Sequence, residues 1–589
     1  MNALIKLMRF LRNYAGAIVV SFVLLIVSTG LGLVQPRLIE LAIDKGIKVG
    51  SLTFVLIGAG GIILSALLVA GINLLSGFAL IKSSQGFGYE LRNALYRKVM
   101  GFSFANLDKW RTGELMVRLN SDVNIVRMFV RMGSFLIVQS VLMIIGTLVA
   151  MFMTDVGLAS IMAIIMPLTL VVFAFAATFI RPLFMKARKA LDDMNNTMQE
   201  NLAGAKVVRA FARQEEEIRK FEERNKANYD ISIEVGWKLS IFFPLFFLIG
   251  NFAGLVALWA GGTTLLGQLT DAAATVSGGL TLGKLVAFNN YAAMAMFPLL
   301  MLGLVLNFIS MAIASAVRLD GILTEKPEIE EKADARDLPH LRGSIEFRNV
   351  SFRYGSGEKA LDGISFSIRA GEKVGIIGTT GSGKTSLVNL ISRFYDVEDG
   401  EVLIDGINVK DLSFKTLRSR IAMVLQETVL FTGTLRENVA FGAPDASQAE
   451  LEHAAGLSCA LDFINEKPDA WDENIGERGA GLSGGQRQRI AIARAIAARP
   501  DIIILDDVTS SLDATTERTI VSSLYEEFYN RTAIIISQKI NTIRDADRIM
   551  VMEDGHIIGV GTHDELVEIN DTYRRICETQ VVARSGGRV

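Results

Sequence analysis

A chain of 589 residues is too long for one domain, and with 50% hydrophobic residues and a mean hydropathy of +0.37 it is too apolar for an average soluble protein. A net charge of −2 and a pI near 6.2 give no bulk reason to expect nucleic acid as a partner. The two cysteines, Cys459 and Cys577, have no metal-ligand or redox spacing and read as buried or idle thiols.

Residues 1–12 alternate Leu, Ile and Phe with Lys6, Arg9 and Arg12, the pattern of an interfacial amphipathic helix. A bilayer core of ~30 Å takes roughly 20 apolar residues as a helix. Six charge-free stretches have that length: 15–34, 51–81, 132–154, 156–180, 239–265 (apolar as far as Thr270) and 285–317. The first lacks a small-residue cleavage site and five more follow, so it reads as a span and not as a secretory signal. The loops at Lys45 and Lys48, at Asp155 and at 270–284 are short and carry little charge. The segments 82–131 and 181–238 are long and rich in Lys and Arg, which places them and both termini in the cytoplasm, in a multi-pass membrane protein.

Helical spacing with few breakers continues the second to fifth spans well beyond the membrane, with tips expected at 104–114 and 207–215. No Asp, Glu, Lys, Arg or His falls inside the six spans, which argues against coupling to an ion gradient. Asn251, Asn289, Asn290, Met294, Met296, Asn307 and Met311 are candidates for lining a cavity that takes amphipathic ligands, against ordinary helix packing. The expected fold is an all-α six-helix transmembrane domain (1–322) with long cytoplasmic extensions, then a linker (323–342) holding Pro327 and Pro339. An α/β nucleotide-binding domain (343–580) with short apolar runs and Gly-rich turns follows, and then a tail (581–589).

Three features of that domain carry chemistry. The run Gly378, Thr379, Thr380, Gly381, Ser382, Gly383, Lys384, Thr385 follows a strand-like stretch and precedes a helical one that starts at Ser386, the setting of a phosphate-binding loop. Lys384 would reach the β and γ phosphates and the Thr385 hydroxyl would ligate Mg²⁺. Asp506 ends the aliphatic run 502–505, as a buried parallel strand presenting a carboxylate does. Leu482, Ser483, Gly484, Gly485 and Gln486 lead into a helix-like stretch, a second anion-binding helix start. Two phosphate sites so far apart suggest a nucleotide held between two chains.

These residues resemble those of ABC exporter half-transporters along nearly the whole chain. In that likeness 482–486 is the ABC signature, 378–385 the Walker A loop, Asp506 the Walker B aspartate, Gln426 the Q-loop, 510–513 the D-loop and Tyr354 the aromatic that stacks on the purine. The resemblance implies ATP bound by Tyr354, Gly378 to Ser386, Gln426 and Asp506, and Mg²⁺ held by Thr385, Gln426 and Asp506. It implies that Ser483, Gly484, Gly485, Gln486 and Asp513 face ATP held by a partner half-transporter, and that the two tips are coupling helices. The other expected partners are the lipid bilayer of a bacterial plasma membrane and an amphipathic small molecule, with no nucleic acid.

Two positions break the family pattern. Where the family places the general-base Glu and the H-loop His, this chain has Asp507 and Gln538. The Asp carboxylate retreats by about 1.5 Å, and loss of a placed general base costs ~10² to 10⁴ in rate. Beside an intact signature, that pairing resembles the degenerate-site subunit of heterodimeric bacterial multidrug ABC exporters, which implies ATP bound in the chain's own site and hydrolysed in the partner's. A slow homodimeric lipid or drug exporter, and a nucleotide-binding regulatory membrane protein without transport, remain alternatives.

Overall fold

The computed structural model describes residues 1–270, 279–509 and 511–585. Ser510 of the expected D-loop, the side chain of Asn307, part of the loop 270–284 and the last residues of the tail lie outside the described residues. The chain divides into two compact units, Met1–Met100 with Thr112–Glu325, and Gly101–Arg111 with Lys326–Val589.

The first unit is built on six long helices: α1 (Ala15–Leu41), α2 (Leu52–Met100), α3 (Ser134–Thr154), α4 (Val156–Ala203), α5 (Gln214–Thr270) and α6 (Leu282–Thr324). Among the described residues, five helical runs are long and apolar enough to cross a membrane, and they hold 15–34, 51–81, 132–154, 239–265 and 285–302. The described apolar part of α4 is the shorter Val156–Thr169. At 49, 48 and 57 residues, α2, α4 and α5 are more than twice the roughly 20 residues a bilayer core needs. Their polar ends therefore extend far outside it.

The helix that carries the apolar stretch 15–34 continues through Pro36 to Leu41, and the Tyr291 hydroxyl donates to the Leu33 carbonyl at 2.8 Å just ahead of the proline. One local reading changes. The N-terminal segment does not present a free amphipathic face. Asn2–Leu7 is a helix and Met8–Tyr14 a tighter turn running into α1, with Leu4 and Leu7 buried and Lys6 paired to Asp320 of α6 at 3.1 Å. Between α4 and α5, Val207 and Phe211 at the expected second tip are 60% and 74% exposed.

The second unit is an α/β domain. Its strands are β1 (Ile345–Arg353), β2 (Lys359–Ile368), β3 (Lys373–Gly378), β4 (Asp399–Ile404), β5 (Ile407–Asn408), β6 (Ile421–Val424), β7 (Gly433–Thr434), β8 (Asn474–Ile475), β9 (Ile502–Asp506), β10 (Thr532–Ile536), β11 (Arg548–Glu553) and β12 (His556–Gly561). They form an antiparallel sheet of order β2-β1-β4-β5, a six-stranded sheet of order β12-β11-β3-β10-β9-β6, and the pair β7-β8. In the larger sheet β11, β3, β10, β9 and β6 run parallel. β3, β9 and β10 are buried throughout, as mainly aliphatic strands of a parallel sheet covered on both faces are.

The first expected tip folds with this unit, because its apolar side chains find rings to cover them. Phe104, which opens the short helix Phe104–Lys109, stacks on Phe394 with ring centroids 4.2 Å apart. The Tyr395 hydroxyl reaches Asp108 Oδ2 at 2.7 Å, and Asn106 donates to the Lys326 carbonyl at 3.0 Å.

Candidate functional site

In an open α/β sheet ligands collect outside the carboxyl ends of the parallel strands. Here those ends bring together the loop 378–385, Asp506, Asp507 and Gln538. β3 ends at Gly378 and the loop runs into α7 (Lys384–Ile391), so the helix starts two residues earlier than the sequence reading. A Cβ at Gly378 would lie 2.1 Å from the Met552 carbonyl oxygen, and Gly383 has φ +94°, so both positions require glycine. Lys384, 9% exposed, gives its ammonium to the Gly378 carbonyl at 3.1 Å, the Thr379 carbonyl at 2.7 Å and the Ser382 hydroxyl at 3.3 Å. Burial holds its pKa below the usual lysine value, with Asp506 and Asp507 pulling the other way. A phosphate replacing those neutral acceptors would stabilise the charged form.

Asp506 closes β9 and is 2% exposed. Burial pushes its carboxyl up, and a hydrogen bond from Thr385 opposes that. Its Oδ2 is buried without a hydrogen-bond partner. A buried carboxylate oxygen left open beside the Thr385 hydroxyl is a hard oxygen donor set that suits Mg²⁺. When bound there the ion would supply charge neutralisation at the phosphates. Gln426 lies two residues past β6 and is exposed.

Asp507 and Gln538, 31 residues apart in sequence, meet because β9 and β10 are neighbours with Asp506 opposite Ile536. Gln538 Nε2 donates to Asp507 Oδ2 at 3.1 Å. Asp507 stands at φ +49°, a left-handed conformation that Asp adopts more readily than longer side chains, and its amide donates to the Ile536 carbonyl at 3.0 Å. Burial raises its carboxyl pKa, while hydrogen bonds from the backbone and side chain of Gln538 oppose the rise. A carboxamide can orient that carboxylate, but it cannot exchange a proton as an imidazole does.

Tyr354 lies one residue past β1, 40% exposed, with its hydroxyl 3.0 Å from the buried Ser386 hydroxyl of α7. Phe352 and Tyr395 meet it edge-on, at 4.7 and 5.1 Å between ring centroids. An exposed ring tied to the phosphate-loop helix is placed to stack on a purine.

The signature residues open α8 (Gly484–Ala497). Ser483 is its N-cap, and a capping box with Gln486 satisfies two of its first amides. Gly485 backs onto the D-loop, where a Cβ would meet the Ser511 carbonyl oxygen at 3.2 Å and Leu512 at 3.3 Å. Asp513 caps α9 (Ala514–Glu527) by accepting from the Thr515 and Thr516 amides, which hold its carboxyl below the usual range.

Comparison with known proteins agrees with this layout. The chain matches the family models for the ABC transporter transmembrane region over residues 18–299 and for the ABC transporter over residues 361–510. It belongs to the ABC transporter family. This ABC exporter half-transporter is 39% identical over 494 residues to an uncharacterised ABC transporter ATP-binding protein, YknU of Bacillus subtilis, covering 84% of this chain and 83% of that one. It is 36% identical to an ATP-dependent lipid A-core flippase of Desulfotalea psychrophila, covering 80% of each. It is also 34% identical, over 84% of this chain and 83% of the other, to YgaD of Bacillus subtilis, whose name assigns it provisionally to multidrug export. A solved bacterial Atm1-family ABC exporter with ATP bound superposes with a TM-score of 0.80 at 26% identity, covering 97% of this chain and 99% of that one. Hydrolysis of ATP coupled to transport follows from the family, as does a multi-pass membrane location.

Residues that the motifs did not name hold the H-loop in place. Glu517, 6% exposed, accepts from Thr509 at 2.7 Å, from Lys539 at 2.9 Å and from Thr542. From α10 (Asp571–Ser585), Gln580 accepts from the Ile540 amide at 3.0 Å and donates to the Gln538 carbonyl at 2.7 Å. Gln580 sits 42 residues beyond Gln538, with no motif around it.

Proposed function

We propose that this half-transporter is the degenerate-site subunit of a heterodimeric exporter that moves amphipathic compounds out of the cytoplasm. The observation that supports it is the Gln538 to Asp507 hydrogen bond, a carboxamide and a shortened carboxylate paired where the family resemblance calls for His and Glu, in a chain that keeps its phosphate loop. ATP rests on Tyr354, Gly378 to Ser386, Gln426 and Asp506, with Mg²⁺ at Thr385, Gln426 and Asp506. Ser483, Gly484, Gly485, Gln486 and Asp513 complete the partner's site, where turnover occurs. Residues 1–322 span a bacterial plasma membrane with both termini cytoplasmic, 323–342 link, 343–580 bind nucleotide and 581–589 form a tail. The tips at 104–114 and 207–215 carry dimer closure to the spans. The lipid A-core flippase and the multidrug-type name among the relatives support an amphipathic cargo.

A second reading, a homodimer turning over slowly with Asp507 as base, draws on the burial that strengthens this carboxylate as a base. ATPase assays on the purified chain, alone and with a half-transporter that has Glu and His at the equivalent positions, separate the two. Turnover at least about a hundredfold higher in the pair is expected. Equal turnover by the isolated chain would favour the homodimer.

A further inference from the structure

Within the apolar runs 239–265 and 285–317 of the first unit, a cleft of about 410 Å³ lies between α5 and α6, within the 300–1,000 Å³ of ordinary small-molecule pockets. Its walls include Phe246, Asn251, Leu258, Asn289 and Met296. Two glycines one turn apart let α6 side chains of the cleft wall pack close against α5. A Cβ at Gly250 would strike Met296 Sδ at 2.6 Å, and one at Gly254 would lie 3.0 Å from Asn289 Oδ1. None of the lining residues is ionisable.

The polar groups are specific. Asn251 Nδ2 donates to the Phe247 carbonyl at 2.9 Å, which leaves its Oδ1 as an acceptor. Asn289 Oδ1 points at Gly254, and this half-buried carboxamide has no hydrogen-bond partner among the described residues. Asn251 is exposed at the middle of the apolar run 239–265, where an amide facing lipid would be unsatisfied. Its face therefore suits a ligand cavity better than hydrocarbon. Asn290, the next residue, closes its donor onto the Val286 carbonyl at 2.9 Å and does not line the cleft.

We propose that this cleft binds an uncharged, largely apolar molecule bearing one N–H or O–H donor, which the carboxamide oxygens of Asn251 and Asn289 accept. A charged ligand would be left without a counter-ion there. The inference rests on the exporter reading only for its consequence, since binding requires neither hydrolysis nor a partner.

The test uses the full chain in lipid nanodiscs and the fluorescence of N-phenylnaphthylamine, an uncharged aromatic with a single N–H, beside its N-methyl analogue and cationic ethidium. The wild type is expected to prefer the N–H probe over both. Asn289→Leu should weaken it by about tenfold, Ala293→Leu should weaken it by filling the mouth, and Asn290→Leu should leave it unchanged. Equal affinity for the N-methyl analogue or ethidium overturns the proposal. So does an affinity that neither Asn289→Leu nor Ala293→Leu alters, including the case in which these variants disturb only pairing with another half-transporter. ATP-dependent uptake of the probe into vesicles is scored separately. Binding without uptake retains the cleft and counts against the exporter reading.

Discussion

Replacing Asp507 by Glu and Gln538 by His together is expected to raise ATP turnover at this chain's own site by about 10² to 10⁴. The carboxylate advances by about 1.5 Å, and the imidazole replaces an amide that now holds Asp507 at 3.1 Å. The opposing cost is conformational. Position 507 has φ +49°, where a longer side chain loses roughly 1–2 kcal/mol of stability. The rate gain corresponds to about 3–5 kcal/mol of barrier, so activity should rise even as the melting temperature falls slightly. Gln538→His alone should do little, because Asp507 still stands short of the water. Steady-state ATPase of the single and double variants checks this. No rise in the double variant would mean that these two residues do not limit turnover.

Lys384→Ala and Gly485→Asp should damage different sites. Lys384 has its ammonium among three oxygens of the phosphate loop, and its loss should weaken nucleotide binding to this chain by about a hundredfold. Gly485 packs against Ser511 and Leu512 instead. An aspartate there adds bulk and negative charge at the start of α8, where the partner's γ phosphate is expected. Turnover of the pair should fall by about 10² or more, with nucleotide retention on this chain intact. Fluorescent nucleotide binding and ATPase, read on both variants, check the split. Equal loss of both properties in both variants would show one shared site instead of two.

Local pattern carried most of the architecture. The charge-free stretches are visible because a bilayer excludes charge, and the phosphate loop is visible because phosphate demands glycine, Lys and Thr at fixed spacing. What escaped was set by distant packing. Leu4 and Leu7 alternate with basic residues as at a membrane surface, yet they are buried, with Lys6 paired to Asp320. The Gln580 bridge to both sides of the H-loop joins a terminal helix to a strand end, and no short-range signal announces it. The meeting of Asp507 with Gln538 was legible only through the family pattern, and strand order explains it.

The central claim concerns where the γ-phosphate stays. The chain, paired with a half-transporter that has Glu and His at the two positions, is incubated with azido-ATP radiolabelled on either the α- or the γ-phosphate, cross-linked, and the subunits are separated. The account predicts that this chain retains both labels while its partner retains only the α label. Loss of the γ label from this chain at the partner's rate would contradict it.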